Sequence, residues 1–435
     1  MDIRHRKITV LGLGRSGLST ARWLSKQGAE VTVSEVKRLH ELDQQVVGEM
    51  SALGVRLETG GHRPETFLDS NLIIISPGVP HDLGPLIMAG RKGIPILGEM
   101  ELASRFMDTP IVAVTGTNGK STVTAFLGSL LKKAGHRVFV GGNIGTPLID
   151  YVAGGEKTDY AVVEVSSFQL DTAETFSPHV AILLNISPDH LDRYPSYEAY
   201  EESKLKIFRN QGAGQYAVLN DDDPRVTRFR PSGGATVLRY GMESGEGRQA
   251  YAEGRNLLLA FPGKKAFHLD LQGFSLPGRH NLQNLMAGVL AGLALDVEPA
   301  IIQETILSFR GLPHRVEWVG SVKGVNFYDD SKATNVDAAL RSLLSFERPI
   351  LLIAGGRHKG ADYAPLVKAA KDRVRKVILL GESSPLLAEA FNGVVPMESA
   401  SDMEEAVRRA FSSARVDDVV LLAPACSSFD MFRDY

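Results

Sequence analysis

Ile111-Val112-Ala113-Val114-Thr115-Gly116-Thr117-Asn118-Gly119-Lys120-Ser121-Thr122 decides the reading of this chain: a short apolar strand runs into a glycine-rich turn ending in Lys-Ser-Thr. Glycines let successive backbone N–H groups turn toward one anion, and the helix that follows presents its positive end to the same point. In such a loop Lys120 reaches the β/γ-phosphates and the Ser121 hydroxyl reaches Mg²⁺. Gly116, Thr117, Asn118, Gly119, Lys120, Ser121 and Thr122 are therefore predicted to hold ATP. The strict phosphate-loop pattern asks for Gly where this chain has Val114, so the fit is to the shorter Gly-Thr-Asn-Gly-Lys-Ser-Thr. An ordinary turn before a helix is the competing reading; the strand, turn and helix context favours the cradle.

Outward from this loop, the 435 residues exceed what one hydrophobic core organises, which predicts two or three domains. A hydrophobic content of 43% supports a fully globular chain. The formal charge of −3, with both signs interspersed, gives no polybasic surface for nucleic acid or an anionic membrane and leaves a small anionic ligand open. The single Cys426 excludes an internal disulfide framework and fits a reducing cytosol. No apolar run reaches membrane-spanning length, and the start lacks the apolar core of a secretory signal. These features read as a cytoplasmic enzyme.

Short apolar strands alternate with helical patterns along the chain, the signature of parallel α/β sheets. Three α/β segments are expected: 1–107 with a Rossmann-like front, 108–311 around the phosphate loop, and 312–435 with a second Rossmann-like pattern. The first has strands at 7–11, 31–33 and 72–76, and a helical stretch at 18–27. A partly helical linker at 98–108 leads to the second, which has strands at 160–165 and 180–185, a surface loop at 241–247 and a helix after His280. The third has strands at 349–354, 376–380 and 418–423.

Two further sites stand out from the residues themselves. Gly12-x-Gly14-x-x-Gly17 follows a strand, and Glu35 ends the next one, where an acidic residue would meet a ribose. Alone this pattern suggests a dehydrogenase; the turn also suits any diphosphate, or helix packing alone. Glu164, in the apolar run Val162-Val163-Glu164-Val165, needs a partner, and Mg²⁺ is a fitting one because a hard cation takes carboxylate oxygen. His190, in Asn185-Ile-Ser-Pro-Asp189-His190, follows another strand; a lone His is more often an ordinary core or surface residue.

The short phosphate loop, Glu164-x-Ser-Ser-Phe-Gln-Leu and Asn185-Ile-Ser-Pro-Asp-His resemble the Mur ligase superfamily, whose members join an amine to an ATP-activated carboxylate. The resemblance covers nearly the whole chain. It implies Glu164, Ser121, His190 and a carbamylated Lys204 as ligands of two Mg²⁺ ions, with Lys120, His190 and Lys204 catalytic. Lys204 could instead be an exposed helical lysine paired with Glu201 or Glu202, with Lys206 mistaken for it. Asn281 and Asn284 match positions near the nucleotide, with helix capping as the alternative. Arg315 and Asp330 match its ATP-binding and domain-closing elements.

For the substrates, the resemblance implies that the front domain holds the UDP part through Gly14, Arg15, Ser16, Glu35, Ser76, Pro77 and Gly78. The family often has Asp-Thr-Arg where this chain has Glu35-Val36-Lys37. Gly142-Asn143-Ile144-Gly145 resembles the family turn that meets the acceptor, which implies Asn143 near the reacting carboxylate. Lys332, Thr334, Lys359, Ser428 and Phe429 match the amino-acid side, although Ser428 could simply cap a helix. Asp330-Ser-Lys-Ala-Thr-Asn335, Gly355-Gly356-x-x-Lys359 and Ala423-Pro-Ala-Cys-Ser-Ser-Phe-Asp430 point to the branch that adds D-glutamate to UDP-N-acetylmuramoyl-L-alanine in peptidoglycan precursor synthesis. Family members usually continue for another helical segment beyond Tyr435.

The implied chemistry is an acyl phosphate made from ATP, then attacked by the amine; the enzyme is expected to be a monomer. A Mur-type ligase for another amino acid stays open. So do an NAD-dependent oxidoreductase, which would leave 116–122 unused, and a nucleotide-binding regulator without turnover.

Overall fold

Runs of β-branched and aliphatic residues too short for helices are buried on both faces when helices cover a parallel sheet, so they fold as strands. The computed structural model describes residues 1–190 and 193–431 and contains three such sheets. The first comprises β1 (Lys7–Leu11), β2 (Glu30–Glu35), β3 (Arg56–Thr59), β4 (Leu72–Ile75) and β5 (Ile96–Gly98), all parallel, in the order β3-β2-β1-β4-β5. The order reverses at β1, and the turns after β1 and β4 open into the crevice created there.

The second sheet contains β6 (Ile111–Thr115), β7 (Val138–Gly142), β8 (Tyr160–Glu164), β9 (Val180–Leu183), β10 (Tyr216–Asn220), β11 (Thr236–Gly241), β12 (Arg248–Glu253), β13 (Asn256–Leu259) and β14 (Phe267–Asp270). Their order is β14-β13-β12-β11-β10-β9-β6-β8-β7, parallel from β7 to β12 and antiparallel through β13 and β14. Central β6 lies between β8 and β9, so the phosphate loop, Glu164 and Asn185 emerge from adjacent strand ends. The helix Arg279–Ala294 packs on the helix Lys120–Lys133 over a core that includes Phe126, Leu130, Met286 and Leu290.

The third sheet has β15 (Glu317–Val322), β16 (Val325–Asp329), β17 (Ile350–Gly355), β18 (Val374–Leu380), β19 (Met397–Ser399) and β20 (Val419–Ala425). Its order is β15-β16-β20-β17-β18-β19, parallel except for the β15–β16 hairpin. The expected strands all form. The sequence reading did not name β3, β5, β7, β10–β16 or β19, most of which are partly exposed or lie away from the motifs. One buried cluster runs from the first sheet into the second, from Ile8 and Val33 to Ala113 and Leu183. No helix among the described residues is long and apolar enough to cross a membrane.

Candidate active site

The phosphate loop is fixed by close backbone packing. Gly119 has φ +90° and starts the helix Lys120–Lys133; a Cβ there would collide with Asn284 Oδ1. Gly116, at φ +150°, lies where a Cβ would be 3.0 Å from Leu184 Cβ. Thr117 N donates to Asn185 O at 2.9 Å, and Asn118 N to Asn185 Oδ1 at 2.9 Å, which ties the loop to the end of β9. Lys120 Nζ donates to the loop carbonyls of Gly116 at 3.0 Å and Thr117 at 2.8 Å. Burial lowers its pKa, opposed by Glu164 and Asp189. The glycine-dependent loop, running straight into a helix start, fits a nucleotide phosphate.

Glu164 is 2% exposed at the end of β8. It accepts from Ser121 Oγ at 2.6 Å and Asn143 Nδ2 at 3.0 Å, while Arg315 Nη2, from the third domain, donates to Ser121 Oγ at 2.8 Å. A carboxylate, a hydroxyl and an amide oxygen are the ligand chemistry of a hard divalent ion, so these residues fit Mg²⁺.

Lys204 lies on the helix Tyr197–Leu205, is 2% exposed, and donates to Gly116 O at 2.9 Å. Burial and the neighbouring Lys120 push its pKa well below the ordinary lysine value. The exposed-lysine alternative is thereby overturned: Glu201 pairs instead with Arg225 at 2.5 Å, and it is Lys206 that reaches a carboxylate, Asp171, at 2.7 Å.

His190, with φ +56°, packs edge-on to Phe168 at 5.0 Å, and burial lowers its pKa. Leu191 and Asp192 lie outside the described residues. Among the described residues, three His or carboxylate ligands gather within 4.8 Å only at His314, Glu317 and Asp329; the expected ligands Glu164 and His190 are not in such a group. His314 and Glu317 are exposed, and the cluster is tied by a 2.6 Å His314–Asp329 pair.

A narrow cleft between the second and third domains is lined by Asn118, Gly119, Thr122, Asn281, Asn284, Arg315, Asp330 and Lys332. Lys332, expected on the amino-acid side, thus lines the same cleft as Asn281, Asn284 and Asp330. The capping alternative for the asparagines fails: Gly278 occupies the N-cap, and Asn281 Nδ2 donates to Pro277 O at 2.8 Å. Asp330 is buried and hydrogen-bonded by Ser342, and burial raises its pKa to about 6.

Asp337, which the sequence reading did not single out, closes this cleft. Its Oδ2 accepts from Asn118 Nδ2 at 2.7 Å, Ser187 Oγ at 2.9 Å and Arg341 Nε at 2.8 Å. An acid in the first turn of the helix Val336–Leu343 is an ordinary helix signal, and nothing local announces a contact with a loop so distant in sequence.

A neighbouring pocket brings His190 and Asp189 of the second domain together with Asn335, His358 and Lys359 of the third. Thr334 lies one residue before Asn335. Backbone bonds between Arg357 and Ser427, at 2.7 and 3.0 Å, bring Ser428 beside the turn that carries Lys359, and Phe429 beyond it is 56% exposed.

In the first domain, a Cβ at Gly17 would overlap the Gly12 carbonyl, so the glycine pattern does serve tight packing. Gly14 is the N-cap of the helix Arg15–Lys26, whose first turn holds Arg15 and Ser16. Ser76 Oγ, buried beside Gly12 and Gly17, has no hydrogen-bond partner among the described residues. Glu35 is 8% exposed and accepts from Leu13 N at 2.7 Å and Lys37 N at 3.0 Å, so its carboxylate already braces the glycine turn. Arg193 donates to Gly78 O at 3.3 Å and lines a cavity of about 700 Å³ with His81, Phe168 and Tyr194.

The descriptions "Mur ligase MurD-like, N-terminal domain", "Mur ligase middle domain" and "Mur ligase, glutamate ligase domain" match residues 6–98, 114–292 and 314–426. The UDP-N-acetylmuramoylalanine–D-glutamate ligase of Desulfosudis oleivorans is 46% identical over 437 aligned positions, covering 100% of this chain and 95% of that protein. The enzyme of the same description from Geotalea daltonii is 42% identical, with 100% and 96% covered. Among solved structures, a pseudomurein peptide ligase type C from Methanothermus fervidus shares the fold, with a TM-score of 0.61, 22% identity, and 96% of each chain covered. The glycine-rich front therefore belongs to a ligase, and the oxidoreductase alternative is set aside. The chain belongs to the Mur ligase family, on the branch of the UDP-N-acetylmuramoylalanine–D-glutamate ligases.

Proposed function

We propose that this chain joins D-glutamate to UDP-N-acetylmuramoyl-L-alanine at the expense of ATP, in peptidoglycan precursor synthesis, through domains at 1–107, 108–311 and 312–435. The observation that carries the reading is the meeting of the phosphate loop, Glu164 and buried Lys204 with Arg315 of the third domain. The front domain would hold the UDP portion against Gly14, Arg15, Ser16, Ser76, Pro77 and Gly78, with Glu35 shaping the turn. Asn143 would steer the alanyl carboxylate toward ATP. Asn281, Asn284 and Asp330 would hold the nucleoside, and Lys332 would line its cleft.

A carboxylate does not react with an amine until one oxygen becomes a leaving group. The alanyl carboxylate attacks the γ-phosphorus, giving an acyl phosphate and ADP. The amine of D-glutamate, an amino acid whose carboxylates Thr334, Lys359 and Ser428 would hold beside Phe429, adds to the acyl carbon, loses a proton, and phosphate departs. Lys120 and Arg315 stabilise the charge that develops on the transferred phosphoryl group.

Ser121 and Glu164 would hold one Mg²⁺, and His190 with a carbamylated Lys204 a second; when bound, these ions neutralise phosphate charge. Carbamylation needs a neutral amine, which adds to CO₂ and releases a proton, and the lowered pKa of Lys204 favours it. One chain carries every group named, so the proposed working unit is a monomer. Phosphate release that requires both the UDP-linked acceptor and D-glutamate tests the proposal. Release with neither dependence, or preference for another amino acid, would overturn it.

A further inference from the structure

Next to Lys359 in the pocket shared by the second and third domains stands His358, to which the reaction above gives no role. Its Nδ1 lies 2.8 Å from Tyr363 Oη, which in turn lies 3.1 Å from Cys426 Sγ. Tyr363 and Cys426 are 7% and 0% exposed, so the chain runs from the pocket into the core of the third domain. Burial raises the pKa of both the phenol and the thiol, and each keeps its proton at neutral pH. A phenol that donates to Nδ1 holds the imidazole proton on Nε2. That nitrogen is left to serve the pocket.

The charged neighbours are otherwise committed. Arg357 pairs with Glu382 at 2.8 Å. Asp189 accepts from Asn335 Nδ2 at 3.0 Å and from His190 N at 3.0 Å. A dicarboxylic amino acid needs donors for two carboxylates; Lys359 supplies one point charge, and an imidazole N–H beside it adds a directional donor to the hydroxyls of Thr334 and Ser428.

Resting on the proposed amino-acid site, we propose that His358 is a specificity-determining residue, whose Nε2–H binds a carboxylate of the incoming dicarboxylic amino acid beside Lys359. Tyr363 is its positioning residue, holding the ring through Nδ1. Steady-state phosphate release by the full chain, with ATP and the UDP-linked acceptor saturating and D-glutamate varied, tests this. His358→Ala is expected to raise KM for D-glutamate about tenfold, with kcat within about threefold and KM for ATP within about twofold of wild type. His358→Gln, which restores an N–H donor, should recover part of the loss, and Tyr363→Phe should raise the same KM about threefold with ATP unaffected. Thermal melting reports whether each variant stays folded; His358 is exposed, so its replacement should leave melting unchanged.

An unchanged KM for D-glutamate in His358→Ala, or a fall in kcat alone, would overturn the inference and leave the ligase reading standing. Wild type that fails to use D-glutamate would overturn the ligase reading, and the inference with it.

Discussion

At the scale of single residues, two lysines meet at one backbone carbonyl: Lys120 and Lys204 both donate to Gly116 O, at 3.0 and 2.9 Å. Two ammonium groups so close repel, and burial disfavours both charges, so the pair is poised to shed a proton. Their roles separate by exposure, since Lys204 is buried and Lys120 only partly so. Lys120→Ala is expected to lower kcat by about 10³-fold or more while the melting temperature holds, measured by coupled phosphate release and differential scanning calorimetry. Near-normal turnover would remove Lys120 from the chemistry. Lys204→Ala should lose most activity and regain part of it when formate or acetate supplies the missing carboxylate. Full activity without rescue would show that no carbamate is needed there. The residues of the phosphate loop were legible in sequence because their chemistry is local: positive φ and consecutive N–H groups need glycine wherever the loop sits.

Between elements, the short helix Glu99–Ser104 joins the first domain to the second through a buried carboxylate. Glu99 is 2% exposed; Oε1 accepts from Ile149 N at 2.7 Å, and Oε2 has no partner among the described residues. Burial raises its pKa from the ordinary 4.5 to about 7. Below about pH 4.5 both folded and unfolded chains carry this proton. Between there and about pH 7 the unfolded chain releases it while the folded chain retains it, so stability falls as pH rises. Glu99→Gln should therefore stabilise the chain by about 1–3 kcal/mol at pH 8 and change little at pH 4, read from urea unfolding at the two pH values. Equal changes at both would refute the assignment. The apolar strands of this domain could be read from sequence, whereas Glu99 looks there like any surface acid; only docking on Ile149 buries it.

Over the whole molecule, the second and third domains are latched across the nucleotide cleft by Arg315–Ser121 and by Asp337 with Asn118 and Ser187. The cleft holds about 60 Å³. A small-molecule pocket typically needs about 300 Å³ or more, so on the proposed reading the nucleotide enters when these domains part. On the same reading, closing again would exclude water from the acyl phosphate, which would otherwise hydrolyse. Asp337→Ala removes the acceptor shared by three donors and should favour the open form. A larger radius of gyration by small-angle scattering and a kcat lowered about tenfold or more are expected, with melting nearly unchanged because each sheet keeps its own core. An unchanged radius and rate would show that Asp337 does not govern closure. The sequence by itself determined the three α/β segments and the glycine turn after β6, because hydrophobic period and glycine geometry act over a few residues. Only the tertiary structure decided the cross-domain latch, the burial of Lys204 and Glu99, and the His358–Tyr363–Cys426 chain, because each depends on segments far apart in sequence being packed together, with water removed between them.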